Sequence, residues 1–392
     1  MPRRSWRDDE PQDVSPPPLK RKKLSEAPTE QPSEADVVSP DITIYSWNIN
    51  GIAPFVQQEI TNFFIPKVEN QAQTRVAPVN ESLKDVLRRY QWPTMLLLQE
   101  VKIKPTDLST QRAIQRSLRT RRADAEGDEP PYIAHFCLPS DPHNARGFGR
   151  RVYGVCSIIR EDFFEKEVAR VRQLDWDAEG RFCICETKGS PVVPRLAIIN
   201  IYAVNGTDSP YKDSRTGEII GTRHDRKLEV HRKLQEECRM LEEQGFAVVL
   251  AGDMNVARSA LDGHPNLRTV PRQHCLNRAD FEAKFFGGAE GADRSTDVGE
   301  EATTLAKERH PLGMIDTFRT LHPTRKGYTY YPRGVVFGSS CDRVDMILIS
   351  KSIENCLKGA DIKETRRDRG TSDHVPLSVR LRFKETLKNS ND

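Results

Sequence analysis

The sequence predicts an α/β domain built on large sheets with antiparallel neighbours. Three observations predict it. Five short apolar or alternating runs, at 132–138, 152–160, 168–174, 181–187 and 195–202, follow one another with only turn residues between them. One clear amphipathic helix spans 223–244, with Leu228, Leu234, Cys238 and Leu241 on one face and Gly245 as its stop. Apolar strands elsewhere end repeatedly in Asn, Glu or Asp.

Taken in order, residues 1–40 hold 8 of the 26 prolines and one aromatic, Trp6, so they are expected to be disordered. Within them Lys20-Arg21-Lys22-Lys23 is a compact basic cluster that reads as a nuclear localisation signal. Order is expected over 41–385, followed by a polar tail at 386–392. The first strand begins at Ile42 and ends in Asn48-Ile49-Asn50-Gly51. A helix is expected over 80–90, capped by Asn80. Met95-Leu96-Leu97-Leu98 reads as a strand buried on both faces. After the long helix, 246–251 is another apolar strand. A helical piece follows near 278–286, and further strands are expected at 328–331, 343–349 and 375–383. No internal repeat is visible.

The charge is nearly balanced, +3 over 392 residues, so composition alone does not demand a nucleic-acid partner. No run approaches the ~18 apolar residues of a membrane span. The eight cysteines form no C-x-x-C and no zinc spacing, and read as reduced core thiols.

The polar residues at strand ends carry the chemistry. Asn48 and Asn50, Glu100, Asp253 and Asn255, Asp345, and the Asp373-His374 pair would meet at one rim if their strands share a pair of sheets. Such a concentration of carboxylates is costly without a cation, and oxygen ligands suit Mg²⁺ or Mn²⁺.

Eight short motifs then run in order from 41 to 383: Trp47-Asn48-Ile49-Asn50-Gly51, Leu98-Gln99-Glu100-Val101-Lys102, Tyr153-Gly154-Val155, Asn200-Ile201-Tyr202, Gly252-Asp253-Met254-Asn255, Asp316-Thr317-Phe318-Arg319, Arg343-Val344-Asp345 and Ser372-Asp373-His374. With them the chain resembles the exonuclease III branch of the endonuclease/exonuclease/phosphatase superfamily, whose members include apurinic/apyrimidinic (AP) endonucleases. The resemblance implies a DNase I-like four-layer sandwich: two mixed β-sheets face to face, flanked by helices, with the site at one rim. It implies an Mg²⁺-dependent phosphodiesterase of DNA repair that incises abasic sites, clears 3′ ends, or both.

It also implies roles. Glu100 is the principal metal ligand, with Asn50 and Asp373 beside it, and Asp253, Asn255 and His374 complete the candidate metal set. Asp253 orients and deprotonates the attacking water, and Asn255 helps to position it. His374 contacts the scissile phosphate, with Asp345 holding its ring. Tyr202 and Asn205 contact phosphate, Asn48 orients the pocket, and Lys102 adds positive charge. Other branches of the superfamily carry a second histidine where this chain has Tyr202, and no histidine occurs between His143 and His224. Tyr330 matches one wall of the family's abasic-sugar pocket. The other wall, apolar or aromatic in the family, is Asp342 here, which argues against strong abasic-site specificity.

Two rival readings share this sequence: a phosphodiesterase that clears tyrosyl adducts from DNA ends, and an inactive nucleic-acid-binding scaffold. Separately, Gln57, Ile60, Phe63 and Phe64 fit the sliding-clamp-binding pattern Q-x-x-I-x-x-F-F within what reads as an inserted loop.

Overall fold

The computed structural model describes residues 41–56, 81–119, 129–145, 153–287 and 310–384. The N-terminal tail with its basic cluster, the segment bearing Gln57, Ile60, Phe63 and Phe64, and the C-terminal tail lie outside them.

Two six-stranded mixed sheets form the centre. The first has the order β15-β16-β1-β2-β4-β3. Its strands are β1 (Ile42–Asn48), β2 (Met95–Gln99), β3 (Tyr132–Cys137), β4 (Val155–Arg160), β15 (Leu357–Ile362) and β16 (Leu377–Leu381). The second has the order β12-β14-β10-β7-β6-β5. It contains β5 (Val168–Gln173), β6 (Phe182–Thr187), β7 (Leu196–Tyr202), β10 (Ala247–Asp253), β12 (Ile315–Asp316) and β14 (Asp345–Ile349). Each sheet has one parallel pair at its centre, β1 with β2 and β7 with β10, and antiparallel pairs elsewhere. Two small ribbons, β8 (Pro210–Lys212) with β9 (Ile219–Thr222) and β11 (Gly263–His264) with β13 (Cys341–Asp342), lie outside the two large sheets.

Three apolar layers hold the stack together. Ile42, Ile44 and Leu97 meet Ile198, Val249 and Ile347 between the sheets. On the outer face of the first sheet, Trp47, Leu96 and Leu98 pack under α1 (Leu83–Arg89) and α2 (Leu108–Arg119). On the outer face of the second, Ile199, Val248 and Leu348 pack under α4 (Arg223–Glu243) and α5 (Gln273–Phe285). Shorter helices, α3 (Glu161–Glu167), α6 (Thr317–Leu321) and α7 (Arg366–Arg369), fill corners. The result is the expected four-layer sandwich. Strands buried on both faces account for the continuous apolar runs of β2 and β10.

Several boundaries differ from expectation. The first helix begins at Leu83, where Ser82 accepts from Asp85 N at 3.2 Å and closes a capping box, so Ser82 and not Asn80 is the cap. The long helix is capped in the same way by Thr222 and Asp225. The helical piece expected at 278–286 starts earlier, at Gln273. Residues 328–331 form no strand. Tyr330 instead makes isolated bridges to Asp342 and to His374, which ties two loops to the rim.

Where the sheets face each other, a buried polar pair crosses between them. Gln99 donates Nε2 to Asn200 Oδ1 at 2.8 Å and to Ser46 Oγ at 3.1 Å. Asn200 donates Nδ2 to Cys156 O at 3.1 Å and Leu98 O at 3.3 Å. Neither side chain is exposed. This accounts for a polar residue in each of two otherwise apolar strands. Replacing one partner strands the other, at about 1–3 kcal/mol, whereas replacing both with apolar residues is closer to neutral. Asn200→Leu is therefore expected to lower unfolding stability by that amount, and Gln99→Leu/Asn200→Leu to recover part of it, measured by urea denaturation. An additive double variant would show that the pair does not act as a unit.

Candidate active site

The four parallel strands β1, β2, β7 and β10 end at the same rim. Their last residues and the turns after them supply Asn48, Asn50, Glu100, Tyr202 and Asp253. The antiparallel strand β14 supplies Asp345 at its first residue, and the loop into β16 supplies Asp373 and His374. The turns are sharp: Asn50, Glu100, Lys102 and Asn255 all have φ between 50° and 57°, a left-handed conformation. Asn tolerates it, whereas Glu and Lys pay steric strain, a cost typical of residues held for function. Gly252 precedes Asp253 because β10 passes so close to β7 that a Cβ there would lie 1.9 Å from Ile201 O.

Asn48 is the hub. Its Nδ2 donates to Asp253 Oδ2 at 3.0 Å and to Glu100 Oε1 at 3.3 Å, and its Oδ1 accepts from Asn50 N at 3.1 Å. Ser372 Oγ holds the Asn48 carbonyl at 2.6 Å and accepts from His374 N at 3.0 Å, so the two halves of the site share a frame. Asn255 N donates to Asp253 Oδ1 at 2.9 Å, while its Nδ2 turns back to Ala203 O at 3.0 Å.

The imidazole is held as expected. His374 Nδ1 lies 2.7 Å from Asp345 Oδ2, and its Nε2 lies 4.0 Å from Asp253 Oδ2. Burial works against a charged ring, but Asp345, Asp253 and Asp373 outweigh it and push His374 up to about 10. The charged form of the ring is therefore favoured. Asp253 moves the other way for a carboxylate: burial, then the charge of Asp345, push it up to about 7 against the pull of His374. Asp345 keeps Oδ1 buried without a hydrogen-bond partner among the described residues.

Two groupings could hold a cation. Asp253, Asp345 and His374 each bring a ligand atom within 4.8 Å of the others. In that grouping His374 Nδ1 is bonded to Asp345 at 2.7 Å, which leaves Nε2 facing Asp253. The second grouping is all oxygen. Glu100 Oε2 lies 2.9 Å from Lys102 Nζ, which also donates to Asn50 Oδ1, and Asn50 Nδ2 donates to Asp373 Oδ1 at 2.7 Å. Glu100 and Asn50 thus already converge on one cationic group. This donor set fits a hard divalent ion and places Lys102 as its competitor. Burial raises Glu100, but Lys102 and a hydrogen bond from Tyr202 leave it below the usual range.

The remaining expected residues also arrive. Asn205 and Tyr330 line the same cavity, of about 280 Å³, as Glu100, Asp253 and His374. The Tyr330 ring sits 5.0 Å from that of His374. Asp342 does not stand free in the cavity: it is buried and ion-paired with Arg268 at 2.8 Å.

Residues whose role the sequence did not reveal complete the site. Arg181 is buried against both Tyr153 and Tyr202, with its guanidinium 4.6 and 4.8 Å from the ring centres. Lys227 on α4 is fully buried and donates to Val204 O at 2.9 Å, Met254 O at 3.1 Å and Asn255 O at 2.9 Å. It pins the turns after β7 and β10 to one helix, and burial brings it down to about 7. Behind β14, Arg343 makes two bonds to Asp316, at 3.1 and 2.8 Å, and one to Asp262 at 2.6 Å, and so fixes the chain two residues before Asp345. The Asp316-to-Arg319 and Arg343-to-Asp345 motifs are the signal that this cluster left in the sequence.

A scan against family models matches residues 45–374 to the endonuclease/exonuclease/phosphatase family. The chain belongs to that family. A Saccharomyces cerevisiae relative, DNA-(apurinic or apyrimidinic site) endonuclease 2, is 27% identical over 233 residues, which cover 55% of this chain and 41% of the relative. The match thus spans less than half of that protein. Solved structures share the family fold. A Neisseria 3′ phosphatase bound to product DNA aligns with TM-score 0.53 at 18% identity, covering 87% of this chain and all of that one. An Archaeoglobus fulgidus AP endonuclease gives 0.51 at 17%, covering 88% and 100%. The Xenopus laevis APE2 catalytic domain gives 0.51 at 19%, covering 88% and 94%.

The Arg343 cluster sets an acid limit. Burial raises Asp316 and Asp262, but Arg343 outweighs it and holds both below the ordinary carboxylate range. With folded values depressed, their contribution is complete above the unfolded value of ~3.9 and fades as pH falls through the folded values. Arg343→Met is expected to destabilise by about 3–5 kcal/mol at neutral pH, with the gap to wild type closing below about pH 4. Urea denaturation across pH checks this. A gap independent of pH would mean that Arg343 matters only by packing.

Proposed function

We propose that this protein is a divalent-metal-dependent phosphodiesterase acting on DNA, which incises the backbone at abasic sites and removes nucleotides or blocking groups from 3′ ends. One observation carries it: Asp253 Oδ2 faces His374 Nε2 at 4.0 Å in a cavity that Glu100 and Asp373 also line. The substrate class rests on the similarity to the yeast AP endonuclease 2 and to the Neisseria 3′ phosphatase bound to product DNA.

Glu100, Asn50 and Asp373 would hold the metal, which when bound neutralises charge on the phosphate. Asp253 is positioned by Asn48 and the Asn255 amide, and a value near 7 suits a general base at neutral pH. It takes the proton from the attacking water as the new P–O bond forms and the bond to the leaving oxygen breaks. His374 presents Nε2–H to a phosphate oxygen, and Asp345 keeps that proton in place. Tyr202, bonded to Glu100, closes the side opposite.

Losing Asp253 or His374 is expected to cost ~10²–10⁴-fold in the chemical step, and losing both far less than the product. Single-turnover rates of Asp253→Asn, His374→Asn and the double variant test this. A near wild-type rate for His374→Asn removes the imidazole from the mechanism. Glu100→Gln is expected to lose more activity at low than at saturating Mg²⁺, and an unchanged Mg²⁺ dependence makes Glu100 structural. Duplexes with an abasic analogue, a recessed 3′ end or a 5′-tyrosyl end rank the substrates. Cleavage of the last alone favours the adduct phosphodiesterase, and cleavage of none favours the scaffold.

The same proposal places the protein in the nucleus through Lys20-Arg21-Lys22-Lys23, and on a sliding clamp through Gln57, Ile60, Phe63 and Phe64. Clamp affinity of Phe63→Ala/Phe64→Ala, with thermal stability beside it, tests the tether. No wild-type binding ends that part of the reading.

A further inference from the structure

The cavity that holds Asp253 and His374 does not end with them. It continues past Tyr330 to a wall made of Arg268, His274, Arg278 and Asp342. His274 and Arg278 stand four residues apart on α5 and so share the face that lines the cavity. Arg278 is anchored: its Nε donates to Ala257 O at 2.7 Å and its Nη2 to Arg268 O at 2.8 Å. It thereby fixes the backbone that carries Arg268. The Arg268 side chain is 44% exposed, and among the described residues its one ion pair is the 2.8 Å contact with Asp342.

The cavity lining therefore brings opposite charges together: Glu100, Asp253 and Asp373 are acidic, and two guanidinium groups, Arg268 and Arg278, stand with the one carboxylate of Asp342. The Asp342 backbone is bonded to Tyr330 in both directions, N to O at 3.1 Å and O from N at 2.8 Å, and its side chain is buried against Arg268. Such a wall does not suit a bare apolar sugar. It suits an anion, which would take the exposed edge of Arg268 in a charge-assisted pair.

Resting on the hydrolase reading above, we propose that Arg268 and Arg278 form a subsite for a second anionic group, a phosphate or a carboxylate, borne by the residue attached to the scissile phosphate. Asp342 holds Arg268 in place until that anion arrives. An ordinary 3′-terminal nucleotide, ending in a hydroxyl, leaves the subsite empty. A terminal fragment ending in a carboxylate fills it, and so does an internal residue followed by a backbone phosphate.

Matched substrates test this with the full chain and Mg²⁺. One pair is a recessed 3′ end whose terminal phosphate is esterified with glycolate or with neutral glycolamide. The other is an internal abasic analogue followed by a phosphate or by a neutral methylphosphonate. Wild type is expected to prefer the charged member of one pair or both by roughly tenfold or more in kcat/KM, the size of a charge-assisted hydrogen bond. The pair that shows the preference identifies the source of the anion. Arg268→Ala/Asp342→Asn, which removes both charges and leaves no lone buried carboxylate, is expected to bring the members of the pair together. Arg268→Lys should keep part of the preference. Equal cleavage of both members by wild type, or full preference in the double variant, overturns the subsite. If wild type cleaves no duplex, the hydrolase reading falls instead. Equilibrium binding of the same pairs then reads the subsite directly, and equal affinities overturn it. Should the double variant melt early, Arg268→Gln replaces it with the same expected loss.

Discussion

Carboxylates buried at a sheet rim must be compensated, and this requirement arranges the molecule. Asp316 and Asp262 share Arg343, Glu179 has Arg181, Glu100 has Lys102 and Asp345 has His374. Asp253 has no such close cation among the described residues. Its direct donors are an amide side chain and a backbone N–H, and its nearest cation stands 4.0 Å away. The same distribution that stabilises the fold therefore leaves the Asp253 carboxyl with a raised proton affinity. The stronger partners near Asp253 are taken by its neighbours, Asp345 with His374 and Glu100 with Lys102.

The two sheets repeat one plan, a parallel pair at the centre with antiparallel strands outside it. Chain ends of parallel strands gather loops on one side, the usual place for a ligand in α/β proteins. Here two such pairs face each other, so four strand ends converge instead of two. The Gln99–Asn200 contact locks this facing arrangement immediately below the rim. A slip of one sheet against the other would break it before displacing Glu100 or Tyr202, each one or two residues further along its strand.

Much of this was legible in the sequence because strand-end polarity is local. Asn48, Glu100, Asp253 and His374 stand out against apolar runs, and the structure brings all four together. Strand density pointed to large sheets with antiparallel neighbours, and the resemblance to the family supplied the four-layer sandwich. What was not legible depends on distance through space. Lys227 is one of several basic residues on a charged helix, and nothing in its neighbours shows that it points inward. The partner of Asp342 lies 74 residues upstream in a loop without periodicity. The bridges at Tyr330 imitate a strand in composition, yet the chain turns there to reach two different loops.

Lys227 couples the two halves of the second sheet's rim mechanically. Its three donors are all spent, on carbonyls from two separate turns. Neither turn can drift without pulling the helix or losing a buried bond. The Val204 turn and the turn after Asp253 are therefore both tied to α4. An enzyme built this way has little freedom to adapt its nucleophile-side geometry to differently shaped substrates. The opposite wall is built without a helix: Tyr330 and Arg268 stand on loops and Asp342 on the two-residue strand β13.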